Sequence, residues 1–288
     1  MSKIVCWIEA MRLRTLPVSV AGVVTAMGYA VMDRHFKAAP ALLCLAFAVL
    51  CQIASNFANE YYDYKAGLDR PGREGPRRGV TEGDITPRAM RNATFGTLAL
   101  ACAVGLSLIW WGGWWLIAVG VTIAVGVLAY STGPYPLSHH GLGEAAVVAF
   151  FGLIPVNMTY YLQAGHMDLS VFIGSVSIGL MGANVLIVNN YRDLEDDLAV
   201  GKHTLAVLMG RPFCSGLYLA NGWIAAALMV PAWWALAPAA VAVPAAYVLL
   251  HTMVWLRLVG RRGVKLNPLL GMTAVLMLAY ALAFLAIA

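Results

Sequence analysis

The chain has 288 residues, of which 61% are apolar and only 11% are charged. Soluble domains average about 45–50% apolar and about 25% charged residues. This composition excludes a soluble globular enzyme, a disordered chain and a nucleic-acid-binding protein. The net charge of +5 is better explained by membrane topology, because the cytoplasmic loops of membrane proteins collect Lys and Arg.

Nine apolar segments are each about long enough to cross a bilayer, which takes about 20 residues as a helix. They predict an all-α, polytopic membrane protein with nine transmembrane helices, formed by a single domain that covers residues 1–288. The predicted spans are 15–32, 39–59, 93–110, 114–131, 143–162, 169–190, 213–230, 233–256 and 268–287.

The Lys and Arg residues fall almost entirely on one side of the predicted membrane. Seventeen of the 19 precede the first span or lie in connections on its side, and the other two are Arg34 and Lys37. This asymmetry follows the positive-inside rule, so we expect the N-terminus and the long connections 60–92 and 191–212 to be cytoplasmic. Twelve of the 14 acidic residues share that side. We therefore predict a protein of the cytoplasmic (inner) membrane with its charges gathered at the cytoplasmic face.

Two acidic segments follow the second and sixth predicted spans. Residues 56–69 read NFANEYYDYKAGLD, and residues 189–197 read NNYRDLEDD. When Asp63 is aligned with Asp193, both segments show the pattern N-x-Y-x-D, 130 residues apart. This weak internal repeat predicts two equivalent helix ends that face a shared cavity.

Helical spacing places the acids and amides of each segment on one face, because residues three and four apart are neighbours. Carboxylates near the membrane core are costly and normally face a cavity and a partner. Two facing acidic helix ends would repel each other without a cation between them, and oxygen ligands suit Mg²⁺, which also bridges to substrate phosphates. The predicted metal ligands are Asn59, Glu60, Asp63, Asp69, Asn189, Asp193 and Asp197. The predicted catalytic residues are Asp63, Asp193 and Asp197.

Basic side chains accompany both acidic segments. They are Lys65, Arg70, Arg73, Arg77 and Arg78 near the first segment and Arg192 and Lys202 near the second. Carboxylates, Mg²⁺ and basic residues together indicate a diphosphate site, with Lys65, Arg78, Arg192 and Lys202 as substrate-binding residues. In the alternative interpretation, the Lys and Arg residues only set the membrane topology and the acidic residues are solvated.

A third segment, 130–144, joins the fourth and fifth spans and reads YSTGPYPLSHHGLGE. Unlike the other cytoplasmic connections it has no Lys or Arg. Its aromatic residues, two histidines and Glu144 suit a lid or an acceptor pocket, with Tyr135 as a substrate-binding candidate. A turn with interfacial tyrosine anchors fits the pattern equally well.

At these residues, and over nearly its whole length, the chain resembles the UbiA superfamily of membrane prenyltransferases. The paired acidic motifs carry the resemblance to the superfamily. The segments 133–137 (GPYPL) and 189–193 (NNYRD) more closely resemble the branch that prenylates 1,4-dihydroxy-2-naphthoate in menaquinone biosynthesis. The family pattern usually has Asp after Asn59, where this chain has Glu60.

The resemblance implies nine helices around a central cavity, with the acidic motifs at its cytoplasmic mouth. It also implies Mg²⁺-dependent transfer of a polyprenyl chain from polyprenyl diphosphate to dihydroxynaphthoate, with loss of CO₂ and diphosphate. In this scheme the acidic residues hold Mg²⁺ on the diphosphate and the basic residues neutralise its growing charge. Tyr61, Tyr62 and Tyr191 offer ring faces to the allyl cation. The expected partners are the two substrates and membrane lipid, without nucleic acid.

Two alternatives remain open at this point. A sister activity with 4-hydroxybenzoate, homogentisate or haem as the acceptor would share the acidic motifs. A cation-coupled transporter would share the internal repeat, but transporter charges gather near the bilayer midplane, whereas these charges lie at one face.

Overall fold

A computed structural model describes residues 2–69 and 75–288 of the chain. The regular structure of these residues is helical, apart from one isolated β-bridge between His140 and His203. The α-helices are α1 (Lys3–Met11), α2 (Leu16–Met32), α3 (Ala38–Lys65), α4 (Pro87–Ser107), α5 (Ile109–Gly112), α6 (Leu116–Ala129), α7 (Gly143–Val147), α8 (Ile154–Ala164), α9 (Leu169–Arg192), α10 (Leu194–Ala199), α11 (Leu205–Leu236), α12 (Ala242–Val259) and α13 (Asn267–Ile287). A π-helical turn, Val148–Leu153, joins α7 to α8. Short 3₁₀ turns are Leu13–Thr15, Leu137–His139, Pro238–Val241 and Gly263–Leu266.

The described residues contain eight helical segments that are long and apolar enough to cross a membrane. They are Lys3–Met32, Ala38–Lys65, Pro87–Gly112, Gly143–Ala164, Leu169–Arg192, Leu205–Leu236, Pro238–Val259 and Gly263–Ile287. The prediction of an all-α integral membrane protein is therefore confirmed.

The predicted count of nine spans differs from the structure at one helix. The predicted span 114–131 forms α6, which has 14 residues. At 1.5 Å per residue such a helix measures about 21 Å, which is shorter than the hydrocarbon core of about 30 Å. The predicted boundary between the seventh and eighth spans, at Pro231, is wrong, because α11 continues through this residue and ends at Leu236, just before Pro238.

Local sequence signals set several helix ends. Asp168 caps α9, since its Oδ1 accepts hydrogen bonds from the backbone N–H groups of Ser170 (2.8 Å) and Val171 (3.2 Å). The α3 helix ends at Lys65, and Gly67 follows with a φ of +71°, a conformation that glycine adopts without steric cost. The acidic residues at the end of α3 are thus placed at a defined helix terminus.

The main core joins α2, α9, α11, α12 and α13 around large buried side chains such as Tyr29, Trp233 and Phe284. Small residues permit close helix contacts, as is usual in membrane proteins. A Cβ added to Gly152 in the π-helical turn would overlap the backbone of Ser175 and Gly179 in α9. Gly152 thus lets the π-helical turn pack directly on α9.

Two cavities adjoin each other inside the bundle. The first has a volume of about 340 Å³ and is lined mainly by apolar residues of α2, α3, α4, α6 and α8. The second, of about 150 Å³, lies at the ends of α3 and α9 and is lined by many polar residues. The residues that line both cavities are Gln52, Ser55, Tyr130, Val147 and Phe151. These two volumes are called the apolar cavity and the polar cavity below.

Candidate active site

The two acidic helix ends meet at one end of the bundle. Asp63 lies in the last turn of α3, and Asp197 lies in α10, directly after α9. Both line a third, small cavity of about 20 Å³, together with Asp69, Asp196 and Lys202. Four carboxylates from two distant parts of the sequence thus surround one space beside a single lysine.

The polar cavity lies next to this acidic space and shares Asp197 and Lys202 with it. Its walls carry both signs of charge and several amides. The charged and amide residues that line it are Arg12, Gln52, Asn56, Asn59, Arg78, Asn189, Asn190, Arg192, Asp193, Asp197 and Lys202. A ligand with a concentrated negative charge and an apolar tail fits this cavity and its apolar neighbour.

The internal repeat is visible in the hydrogen bonds. Asn59 Nδ2 donates to Asp63 Oδ2 at 3.2 Å, and Asn189 Nδ2 donates to Asp193 Oδ2 at 3.4 Å. Each bond spans four residues, one helical turn. The same device therefore orients one aspartate in each half of the chain.

The side-chain oxygens of both asparagines accept hydrogen bonds from arginines. Asn59 Oδ1 accepts from Arg12 Nη2 at 2.6 Å and from Arg78 Nη2 at 3.2 Å, and Asn189 Oδ1 accepts from Arg192 Nη2 at 2.8 Å. Each asparagine therefore joins an arginine to an aspartate and orients that aspartate. Binding of Mg²⁺ by Asn59 and Asn189 stays a prediction.

Asp63 is the centre of the contacts between the three segments. It is 1% exposed. Lys202 Nζ donates to Asp63 Oδ2 at 3.3 Å, and His139 Nε2 lies 3.4 Å from Asp63 Oδ1. The carbonyl oxygen of His139 accepts from the N–H of His203, which follows the second acidic segment, at 3.1 Å. Glu144 Oε1 accepts from Asn190 Nδ2 of that segment at 2.9 Å. The segment 130–144 therefore contacts both acidic segments.

Asp193 is held by the adjacent Arg192. The Nε of Arg192 donates to Asp193 Oδ1 at 2.6 Å, and its Nη2 donates to Oδ2 at 2.8 Å. The remaining Nη1 donates to Asn267 Oδ1 at 2.9 Å. Arg192 therefore positions Asp193 against the start of α13. It also lines the polar cavity, and its contact with a substrate stays a prediction.

Glu60 lies one helical turn before Asp63 and contacts a different segment. Its side chain is buried, and its Oε1 accepts a hydrogen bond from the backbone N–H of Val80 at 3.0 Å. It lines none of the three cavities formed by the described residues. The structure thus shows Glu60 bound to the segment 78–80 through Val80, and its role as a metal ligand stays a prediction.

The tethered segment brings Arg78 into the polar cavity. Its guanidinium donates to Asn59 and lies 3.3 Å from the Asp69 carboxylate. Its Nη1 is buried and has no hydrogen-bond partner among the described residues. A buried guanidinium nitrogen in this state is suited to an anionic ligand. Arg70 and Arg73 lie outside the described residues.

Tyr191 lies inside the protein core, away from the cavities. The guanidinium groups of Arg211 and Arg262 stack over its ring at 5.3 and 5.4 Å, and Arg262 Nη1 donates to its hydroxyl at 2.8 Å. Arg211 also donates two 2.5 Å hydrogen bonds to Glu195 in α10, which hold the pKa of Glu195 below its ordinary value. Through Arg211, Tyr191 therefore connects the end of α9 to α10. Its ring lines none of the three cavities.

Three further predicted substrate residues line neither main cavity. Tyr61 is half-buried against the small cluster beside α1, and its ring lies 4.9 Å from that of Tyr62. Tyr135 is 55% exposed and stacks on His140 at 3.8 Å. Lys65 is exposed at the end of α3. The ring faces predicted to stabilise a cation are therefore not directed into the cavities.

Several residues of the site were absent from the sequence-based set. Arg12 reaches Asn59 because it follows α1 in a left-handed conformation, with a φ of +50°, which a sequence pattern does not reveal. Ser131 accepts a hydrogen bond from Asn59 at 3.2 Å. Asp196 lines the small acidic cavity, and Asn190 lines the polar cavity. The consecutive acidic residues of α10 are the sequence feature that could have indicated Asp196.

The donor chemistry of the acidic space fits Mg²⁺. No group of three His, Cys, Asp or Glu residues in the described ranges is close enough to hold a metal ion alone. However, Mg²⁺ is usually bound by one or two carboxylates together with waters and substrate phosphates, and it seldom occupies an all-protein cage. The carboxylates around the small cavity offer such a partial set of hard oxygen ligands.

Comparisons with known proteins agree with this architecture. Residues 21–267 match the model of the UbiA prenyltransferase family. The chain is 37% identical over 281 residues to 1,4-dihydroxy-2-naphthoate octaprenyltransferase of Mycobacterium leprae, covering 96% of this chain and 94% of that protein. It is 36% identical over 218 residues to the enzyme of the same name from Escherichia coli, covering 73% and 70% of the two chains.

The fold is also that of a solved structure. A UbiA homolog from Archaeoglobus fulgidus, solved with GPP and Mg²⁺, superposes with a TM-score of 0.70 at 16% identity, covering 99% of this chain and 100% of that one. At this identity the likeness concerns the fold. The family match and the coverage of the relatives establish the classification: the chain belongs to the UbiA prenyltransferase family.

Proposed function

We propose that the protein transfers a polyprenyl chain from polyprenyl diphosphate to 1,4-dihydroxy-2-naphthoate, releasing diphosphate and CO₂ and giving demethylmenaquinol. One observation carries the proposal: two acidic helix ends and buried basic groups border a polar cavity that adjoins an apolar cavity. The relatives named above support the identity of the aromatic acceptor.

The two cavities divide the substrate between them. The apolar cavity, about 340 Å³ in volume, suits the first isoprene units of the donor, whose burial is favoured by the hydrophobic effect. The diphosphate then lies in the polar cavity, near the Nη1 of Arg78 and the ammonium of Lys202. The junction between the cavities, marked by Tyr130 and Phe151, is where the allylic carbon would lie.

The basic residues stabilise the departing diphosphate as the allylic C–O bond breaks. Arg78 and Lys202 place positive charge where negative charge develops, in a site largely shielded from water. Asp63, Asp69, Asp193 and Asp197 would hold Mg²⁺, which, when bound, supplies further charge stabilisation to the leaving group. Asn59 and Arg192 keep Asp63 and Asp193 in their orientations through the hydrogen bonds described above.

The acceptor ring completes the reaction. Its electron-rich carbon attacks the allylic carbon and forms the new C–C bond. The bond between the ring and the carboxylate carbon then breaks, its electron pair returns to the ring, and CO₂ leaves. The low water content of a buried site prevents hydrolysis of the allylic cation.

The charge distribution supports a cytoplasmic active site. Lys and Arg are concentrated on the side of the bundle that carries the polar cavity, as the positive-inside rule requires of a cytoplasmic face. We propose that the whole chain acts as one domain of the inner membrane. The active-site segments then face the cytoplasm, and the apolar cavity lies within the bilayer.

An acceptor panel tests the function. The purified protein in lipid nanodiscs would receive geranyl diphosphate and one of dihydroxynaphthoate, 4-hydroxybenzoate or homogentisate, with Mg²⁺ or with EDTA. We expect a prenylated product, detected by mass spectrometry, with dihydroxynaphthoate and Mg²⁺ only. Prenylation of 4-hydroxybenzoate instead would refute the acceptor, and no diphosphate release with any acceptor would refute the enzymatic proposal. Glu82→Gln, an exposed site on the same face, is the matched control.

A further inference from the structure

A pair of buried polar side chains adjoins the polar cavity. Neither residue is one of the carboxylates around the small acidic cavity or one of the basic residues described above. Glu144 lies in the first turn of α7, and Asn190 lies in the last turns of α9. Each is 8% exposed. Asn190 Nδ2 donates a hydrogen bond to Glu144 Oε1 at 2.9 Å. Asn190 lines the cavity, and Glu144 supports it from behind.

This bond decides which end of the Asn190 amide faces the cavity. The carboxylate of Glu144 accepts, so the NH₂ group points toward Glu144 and the carbonyl oxygen points away from it. Among the described residues no donor reaches Asn190 Oδ1. This oxygen is also absent from the buried polar atoms that lack a partner, so it retains accessible surface. Asn190 therefore presents a hydrogen-bond acceptor to the cavity.

The position of Asn190 along α9 limits what it can recognise. Val185 and Leu186, about one turn deeper, form an apolar part of the same cavity wall, and Asp193 lies one turn toward the acidic end. A neutral acceptor at this border suits a hydroxyl group carried by a flat apolar molecule. It does not suit a diphosphate, whose oxygens are themselves acceptors, or a prenyl chain, which has no donor.

We propose that Asn190 determines acceptor specificity by accepting a hydrogen bond from a phenolic hydroxyl of the aromatic substrate, and that Glu144 is its positioning residue. The inference rests on the proposed prenyl transfer and adds to it the group that recognises the acceptor. A site that pairs with a substrate hydroxyl discriminates strongly against analogues that lack it, because its own polar group is then left unpaired.

Two variants of Glu144 separate this role from a structural one. Glu144→Gln keeps an oxygen that can accept from Asn190, whereas Glu144→Met keeps the length of the side chain and removes the acceptor. We expect Glu144→Met to raise the KM for dihydroxynaphthoate about tenfold, the order expected when one neutral hydrogen bond is lost. The KM for geranyl diphosphate should change less than about twofold, and Glu144→Gln should stay within about threefold of the wild type on both substrates.

An acceptor analogue with a methylated hydroxyl supplies the second readout. The wild type should bind dihydroxynaphthoate about tenfold more tightly than the monomethyl ether that blocks the contact, and Glu144→Met should lose this preference. Equilibrium binding without the donor measures both affinities, so the test does not depend on turnover. Asn184→Leu is the matched control, since both ends of the Asn184 amide bind protein atoms, Tyr218 O and Asn221 Nδ2. It should lower thermal stability and leave the KM ratio unchanged.

The outcomes are distinct. Equal changes in both KM values for Glu144→Met, or an unchanged preference for the free hydroxyl, would overturn the inference while the proposed reaction stands. A wild type that prenylates no aromatic acceptor would refute the proposed function. The binding comparison would then still decide whether Asn190 recognises a hydroxyl.

Discussion

Substitution of Glu60 separates a tether from a metal ligand. Glu60 and Asp63 lie one helical turn apart, and both were expected to bind Mg²⁺. In the structure Glu60 Oε1 accepts from Val80 N at 3.0 Å, whereas Asp63 borders the acidic cavity. Glu60→Gln keeps an oxygen acceptor for Val80 and removes the charge. Glu60→Ala removes the acceptor and leaves a buried N–H group without its partner.

The magnitudes are worked from the hydrogen bond with Val80. A hydrogen bond to a charged group contributes about 1.5–3 kcal/mol and a neutral one about 0.5–1.5 kcal/mol. Glu60→Gln should therefore cost about 1 kcal/mol of folding free energy, and Glu60→Ala about 2–3 kcal/mol. For a chain of this size each kcal/mol corresponds to about 2–4 °C in Tm. We expect a loss of about 2–4 °C for Gln and about 4–12 °C for Ala.

The assay combines thermal unfolding with a Mg²⁺ titration of prenyl transfer. If Glu60 is a tether, Glu60→Gln leaves the Mg²⁺ concentration for half-maximal activity within about twofold, since an amide oxygen still holds Val80. Asp63→Asn, the comparison variant on the same helix, should lose activity and also lower the Tm, because it weakens the buried contacts with Lys202 and His139. A tenfold or greater rise in the Mg²⁺ requirement for Glu60→Gln, at an unchanged Tm, would refute the tether and restore Glu60 as a metal ligand.

Four substitutions test the remaining parts of the site. Asp63→Asn and Asp193→Asn should each reduce kcat at least about a hundredfold, the order seen on loss of one electrostatic stabiliser, while gel filtration shows a folded protein; near-normal turnover of both would remove the metal site. Arg192→Lys loses the paired hydrogen bonds to Asp193 and should lower kcat/KM about tenfold or more, and unchanged kinetics would show that the fork is dispensable. Gly120 borders the apolar cavity with free space at its Cβ position. Gly120→Leu should therefore raise the KM for an octaprenyl donor and leave the KM for geranyl diphosphate unchanged. Equal effects on both donors would show that the prenyl chain does not occupy the apolar cavity.

Local sequence features determined much of the architecture. The apolar segments are helical because a backbone in lipid must satisfy its hydrogen bonds internally, so their lengths predicted the spans. The spacing of four between Asn59 and Asp63, and between Asn189 and Asp193, placed each pair on adjacent helical turns. One such hydrogen bond is observed in each half, because this geometry depends on the helix alone.

The partners of the polar groups came from the packing of distant segments. Glu60 and Asp63 are equally acidic in the sequence, yet one contacts Val80 and the other contacts Lys202, which lies 139 residues away. The packing of α3 in the bundle decides which of its faces meets the segment of Val80 and which meets the segment of Lys202. Arg192 was expected to bind the diphosphate, but Asn267 and Asp193 use its nitrogens. Residue type and spacing specify the charges available at a helix end. Only the arrangement of the helices determines which of those charges neutralise one another and which groups, such as the Nη1 of Arg78, have no protein acceptor among the described residues.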